Sequence, residues 1–305
     1  MMNKSNTFMP PLQNGIGASV VFAPKSLKYK TIFEFFSTQF SHISTQEWQR
    51  RFDDGLVFNQ EGEKLNTTQM YQGEQHLYYY RHLPYEAEIP FEHKILFENE
   101  HFIVVDKPHF LTVSPTGQYV QQTLLTRLKR MTNNAALTPI HRLDRETAGL
   151  ILISKQMTTR GIYQQLFAQQ QIQKTYHAIA ASRPELNFPL CFSACMQKGE
   201  PFYTMKIIEG ISNSTTDIAI LEQQGRWAKY ELKPVTGKQH QLRVHMNALG
   251  IALKNDRFYP VVQHIGQDDF SAPLQLLAKY LDFIDPITGQ NFSFCSSFDL
   301  LLPRE

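Results

Sequence analysis

The chain has 305 residues, 42% of them hydrophobic and 12% aromatic, with a formal charge of +2 and a pI near 8.3. This length holds one large domain or two ordinary ones, and the composition excludes a disordered chain. So small a net charge rules out reading function from the global balance, because a positive surface for an anionic partner can be confined to one cleft.

Cys191, Cys195 and Cys295 are an odd set with neither zinc-type nor redox-pair spacing, so reduced thiols are expected. The short run Ile16 to Ala23, broken by Gly and Ser and preceded by Pro10-Pro11, makes a poor signal sequence. No apolar run approaches the roughly 20 residues that span a bilayer, so no membrane partner and a cytoplasmic location are expected.

In chain order, residues 1–30, rich in Asn, Pro, Gly and Ser, read as a flexible arm. Ile32, Phe35, Phe36 and Phe40 then have helical spacing, and a second amphipathic stretch runs from Thr45 to Phe52. Gly55-Leu56-Val57-Phe58 reads as a short strand, Gln60 to Lys64 as a polar hairpin tip, and His76 to Tyr80 as the closing strand. This order over 31–82 resembles a degenerate alpha-L RNA-binding module, with Gln49, Arg50, Arg51 and Lys64 as candidates for RNA contact. Residues 83–93, with prolines and alternating acidic and apolar positions, read as a linker.

A second domain is expected over 94–305. Ile95 to Phe97, Phe102 to Val105 and Leu150 to Ile153 are short apolar strands, and none is followed by a Gly-rich phosphate loop, which argues against dinucleotide-binding and P-loop folds. Gln122 to Met131 reads as a helix with Leu124, Leu125 and Leu128 on its buried face.

The most informative stretch is His141-Arg142-Leu143-Asp144-Arg145-Glu146-Thr147-Ala148-Gly149-Leu150. It sets one carboxylate between two guanidinium groups and delivers it into a strand. Asp144 can act as nucleophile or base, while Arg142 and Arg145 can bind phosphate or fill the place of a displaced base. Taken alone, an ordinary turn with Asp144 capping or in a surface ion pair is the commoner explanation of such a stretch.

Three further segments change that balance. Val104-Val105-Asp106-Lys107-Pro108 is a strand running into a loop, with Lys107 at its end. Lys174-Thr175-Tyr176-His177-Ala178-Ile179 alternates as a strand, placing Lys174 and Tyr176 on one side to meet a phosphate and a base. The run from Lys233 to Met246 holds Lys238, His240, Gln241, Arg243 and His245, and is expected to turn into a helix at Thr236 to Gln239 with Gln239, Arg243 and Met246 near one face.

Together these four segments resemble the motifs of the RluA-type pseudouridine synthase family: a strand ending in Asp-Lys-Pro, His-Arg-Leu-Asp-Arg-Glu-Thr-x-Gly-Leu, Lys-x-Tyr, and Gly-x-x-His-Gln-Leu-Arg-Val-His. The resemblance covers about residues 94–300 and implies an α+β fold, a central mostly antiparallel mixed sheet flanked by helices and loops.

It implies an isomerase acting on uridine in ribosomal RNA ahead of transfer RNA. Asp144 would be the catalytic aspartate, Tyr176 would lie against the flipped base, and Arg243 would pair with the Asp144 carboxylate. Arg142 would enter the helix vacated by the uridine, and His141, Arg145, Lys107, Lys174, Lys238, His240 and Gln241 would face RNA. A carboxylate can attack C1′ or remove the C2′ proton, and the sequence does not choose between them. No metal or organic cofactor is required, and a monomer is the family default.

The chain departs from the family pattern at Ala148, usually a small hydroxyl residue, at Asn255-Asp256 for Gly-Asp, at Tyr259-Pro260 for Tyr-Gly, and at Leu277 for a histidine. Two other readings stand beside this one. A catalytically silent RNA-binding protein would have no need of Asp144, and a glycosidase-like hydrolase would need a second carboxylate, with Glu146 and Asp106 as the candidates.

Overall fold

The computed structural model describes residue 8 and residues 10–81, 83, 85–263 and 269–303. Much of the expected arm before Pro10, the last residue of the 31–82 module and position 84 of the linker lie outside the described residues. The chain divides into two compact units, one of residues 1–86, 116–121 and 126–135, the other of 87–115, 122–125 and 136–305.

In the first unit β1 (Ser19–Ala23) precedes α1 (Ile32–Gln39), α2 (Thr45–Asp53), β2 (Val57–Phe58) and β3 (Gln75–Tyr79), with the strands in the antiparallel order β1-β3-β2. Both helices begin at a hydroxyl cap: Glu34 N donates to Thr31 Oγ1 and Glu47 N to Ser44 Oγ. Ile32, Phe35 and Phe36 of α1 pack against Trp48 and Phe52 of α2. Two expectations are corrected here. Part of the supposed arm is β1, because Ser19 to Ala23 finds a partner edge in β3 that local composition cannot reveal. Arg51 is 5% exposed, paired with Glu47 at 3.1 Å and laid over the Trp48 ring, so it faces the core and not a ligand.

The second unit is built on an eleven-stranded sheet. Its elements follow as β4 (Lys94–Glu98), β5 (Phe102–Lys107), α3 (Leu124–Thr132, shared between the two sets of residues), β6 (Thr138–Pro139), β7 (Ala148–Ser154) and α4 (Met157–Ala168). After these come β8 (Gln173–Ala181), β9 (Leu190–Lys198), β10 (Met205–Ile208), β11 (Ser214–Gln224), β12 (Trp227–Pro234), α5 (Gln241–Ala248), β13 (Leu276–Ile284) and β14 (Asn291–Cys295). The main path runs β10-β9-β11-β12-β8-β13-β7-β5-β4, with β14 on β13 and β6 on β7. Among the described residues, every pairing between strands of this sheet is antiparallel except that of β13 with β7. β7 is buried along its whole length, as expected of a strand covered on both faces.

The parallel pair positions the loop that bears Asp144. Ala278 of β13 stands opposite Gly149 of β7 on one side and Tyr176 of β8 on the other, and Tyr176 in turn faces Leu232 of β12. Gly149 has φ +108°, and a Cβ on it would lie 2.3 Å from the Ala278 carbonyl oxygen, so only glycine admits this approach. The loop bearing Asp144 therefore enters the sheet level with Tyr176. The helix at Arg243 also differs from expectation: α5 starts at Gln241, and Gln241 to Met246 are all buried. Its polar side chains lie inside because each finds partners there.

Candidate active site

Asp144 opens a tight turn closed by Thr147 N donating to the Asp144 carbonyl at 3.2 Å. The turn is clamped from behind by the loop after β5. The Lys107 ammonium donates to the carbonyls of Pro108 (3.0 Å), Leu111 (2.8 Å) and Arg145 (3.2 Å), and His109 Nδ1 donates to the Glu146 carbonyl at 2.6 Å. Asp106, fully buried one residue earlier, is fixed by the hydroxyls of Ser296 and Ser297 and the Ser297 amide. Burial lowers the Lys107 pKa to about 7, with Glu146 and Asp144 acting to raise it, and lowers that of His109 to about 4.

α5 supplies the counter-charge. Arg243 Nη1 donates to Asp144 Oδ2 at 3.1 Å, while its Nε and Nη2 donate to Asp256 Oδ2 and Oδ1 at 2.8 and 2.6 Å. Its guanidinium also lies 4.8 Å from the Phe258 ring and 5.4 Å from that of Tyr259. Burial depresses the Arg243 pKa, but the hydrogen bonds and charge of Asp256, with Asp144 behind them, more than reverse this and raise it. Arg243 is thus a fixed cation.

Asp256 Oδ1 also accepts from the amides of Phe258 and Tyr259, so this carboxylate organises its own loop. The preceding Asn255 has φ +62°, a left-handed conformation that Asn tolerates best after Gly, which explains why Asn-Asp can stand where the family has Gly-Asp.

The Asp144 turn, the start of β8 and the segment from Pro234 into α5 line a cavity of about 730 Å³. Among its lining residues are Asp144, Arg243, Tyr176, Lys174, Arg142 and Lys238, and Asp144 is the one carboxylate among the described residues that line it. The Asp144 side chain is 29% exposed against 1% for Arg243, so the carboxylate is open to a ligand while its partner is sealed. Burial, then the Asp144 charge, raise the Tyr176 hydroxyl pKa, leaving a neutral phenol.

His141 also lines the cavity, but its Nε2 accepts from Leu152 N at 3.1 Å and its ring stacks on Phe167, and burial lowers its pKa to about 3. It is a neutral wall.

Three sequence-based expectations are corrected. Lys107 is fully buried and committed to carbonyls, so it clamps the turn instead of meeting RNA. Arg145 does not line the cavity; it pairs with Glu146 at 3.0 Å and lies over the Phe110 ring. Gln241 reaches the cavity wall, but its amide nitrogen donates to Thr215 O and Thr216 Oγ1 and its oxygen accepts from Thr236 Oγ1 and Lys238 N, which leaves it holding strand to helix. Asp256 and the Tyr259 hydroxyl were missed as site residues. The two departures Ala148 and Leu277 are register partners in one apolar cluster with Ile179 and Leu300, so the change at one matches the change at the other.

The model of the family described as RNA pseudouridylate synthase matches residues 101–248. A dual-specificity RNA pseudouridine synthase RluA of Pasteurella multocida is 30% identical over 211 residues, 64% of this chain and 89% of that protein. The chain belongs to the RluA-type RNA pseudouridine synthase family. An RNA pseudouridine synthase of Synechocystis is 28% identical over 235 residues, covering 75% of this chain and 79% of its own.

The human RNA pseudouridylate synthase domain containing 1 superposes with a TM-score of 0.56 at 23% identity over 70% of this chain and 86% of its own, a likeness of fold. This synthase therefore has the pseudouridine synthase fold, and its reaction class is the isomerisation of uridine in RNA.

Proposed function

We propose that Asp144 is the carboxylate that acts on the uridine sugar, in structured RNA with ribosomal RNA ahead of transfer RNA. The target base is turned out of its helix into the cavity, Arg142 fills the space it leaves, and Tyr176 lies against it. One observation carries this reading: the single carboxylate among the described residues of the cavity wall is the one held at 3.1 Å by a sealed arginine.

The ion pair fixes the direction of the carboxylate before RNA arrives. A lone carboxylate argues against hydrolysis with two opposed acids, since Asp106 is consumed by serines and Glu146 by Arg145. The exposed Arg142 and the rim lysines Lys174 and Lys238 supply the positive edge that a phosphate backbone needs.

Flipping costs a few kcal/mol and least in unpaired loops, which favours stem-loop substrates. Relatives carry the name dual-specificity synthase, so the test spans more than one RNA class.

The test uses purified protein with ribosomal and transfer RNA fragments labelled with tritium at uracil C5, the position whose hydrogen leaves on isomerisation. Wild type releases tritium and Asp144→Asn releases none while binding the same RNA within a few-fold. Release by Asp144→Asn would refute the assignment. Binding without release by the wild type on every RNA would favour a catalytically silent RNA-binding protein.

A further inference from the structure

We propose that His240 is a positioning residue for the Asp144 carboxylate: Tyr259 locks its ring in the tautomer that presents Nε2–H to Asp144 Oδ2. This rests on the role given to Asp144 above.

Three consecutive contacts fix the direction of the protons. The Met205 backbone N–H donates to the Tyr259 hydroxyl oxygen at 2.8 Å. An amide nitrogen can only donate, so the hydroxyl's own proton points elsewhere. Tyr259 Oη lies 2.8 Å from His240 Nδ1, the one other hydrogen-bond partner it has among the described residues. The hydroxyl therefore donates and Nδ1 accepts, which leaves the ring proton on Nε2. Nε2 stands 3.7 Å from Asp144 Oδ2, a few tenths of an ångström beyond hydrogen-bond reach, a gap of the kind that closes when a ligand tightens a site.

His240 is held there. It is 9% exposed, has φ +51° at the entry to α5, and lies with its ring 5.5 Å from Phe258. The charged groups around it are Asp144, Arg243, Asp256 and Glu146. Burial is the largest influence on its pKa and, helped by Arg243, lowers it against the pull of the carboxylates. The ring stays neutral at pH 7, so it adds a donor without adding charge.

With Arg243 and His240 both directed at Oδ2, Oδ1 has no hydrogen bond among the described residues. Oδ1 is the oxygen left to react, and Arg243, joined by His240 once the gap closes, keeps the carboxylate from rotating it away.

The experiment combines kinetics with a direct reading of the tautomer. In single-turnover assays His240→Leu lowers the rate about 10- to 100-fold, the range set by losing one hydrogen bond to a charged group, with RNA affinity within twofold. His240→Gln, whose amide can reach the Nε2 position, recovers most of the loss. Tyr259→Phe, which frees the tautomer, loses several-fold.

Nitrogen-15 NMR of the histidine-labelled wild type, with the His240 signals identified by their absence from His240→Gln, shows a protonated Nε2 and bare Nδ1 at pH 7. A His240→Leu protein at wild-type rate, or a wild-type signal with the proton on Nδ1 or on both nitrogens, overturns the proposal. Should His240→Leu fail to fold, the wild-type NMR signal decides alone. Asp144→Asn assayed in parallel separates the two claims: activity there removes the Asp144 reading itself, whereas an inactive Asp144→Asn beside an unimpaired His240→Leu removes only the role of His240.

Discussion

Arg243 and Asp256 form a two-pronged ion pair, Nε to Oδ2 at 2.8 Å and Nη2 to Oδ1 at 2.6 Å, with side-chain exposures of 1% and 0%. Arg243 spends two of its three donor nitrogens on this buried partner and offers the third to Asp144. The pair thus aims one guanidinium edge at the Asp144 carboxylate without leaving the cation short of charge. Phe258 and Tyr259, bonded through their amides to Asp256, complete the pocket that holds it.

Removing Asp256 leaves a buried guanidinium without its main partner. Asp256→Ala is expected to cost about 3–5 kcal/mol of stability, the usual penalty for breaking a buried pair from one side. Urea denaturation at pH 7 measures this, and the surviving folded protein should turn over far more slowly because Arg243 no longer points at Asp144. A loss below about 1 kcal/mol, the value of an exposed pair, would contradict the buried geometry.

Lys107 makes a different prediction because its ammonium meets three carbonyls and no cavity. Lys107→Met should leave those carbonyls unpaired at about 1–3 kcal/mol each and loosen the turn that bears Asp144. The expected signature is a lower melting point and a lower rate, with RNA affinity and its salt dependence unchanged. A reduced salt slope would instead return Lys107 to the phosphate contacts.

How much of this was legible in the sequence varies from residue to residue. Asp144, Tyr176 and Arg243 lie in short motifs whose spacing is a local property, and the sheet register then brings them to one cavity. Asp256 was not legible as a site residue, since its role depends on a loop folding back across α5 so that residues 13 apart meet.

Lys107 was misread because a lysine at the end of a strand looks the same whether its amine finds water or a nest of carbonyls. The strand β1 was hidden for a related reason: Val20 to Phe22 become a strand only by pairing with β3, more than 50 residues away. The burial of α5 was not legible because helical periodicity sorts residues by polarity, and here Gln241, Arg243 and His245 are polar and satisfied indoors.

His245 gives a prediction in pH. Its Nε2 donates to Ser214 Oγ at 2.9 Å, and its Nδ1 accepts from Thr216 Oγ1 at 3.0 Å. Ser214 gives its own proton to the Ala194 carbonyl, so the serine accepts from the ring. The ring is fully buried, and desolvation lowers its pKa from 6.5 to about 4.

The folded pKa lies below the unfolded one, so the unfolded chain takes up this proton first as pH falls. The stability His245 contributes is whole above pH 6.5 and is lost as pH falls through about 4, with a slope near 1.4 kcal/mol per pH unit in between. Denaturant melts at pH 7 and pH 5 should differ less for His245→Asn than for the wild type. An equal difference would place the acid sensitivity on other groups.

Asp144 is proposed to act in the conversion of uridine to pseudouridine in cellular RNA. The most direct test is carbodiimide-based pseudouridine mapping of ribosomal and transfer RNA from cells with and without the gene, the latter complemented by wild type or by Asp144→Asn. One or a few sites should vanish without the gene, return with the wild type and stay absent with Asp144→Asn. Sites restored equally by Asp144→Asn would contradict this role.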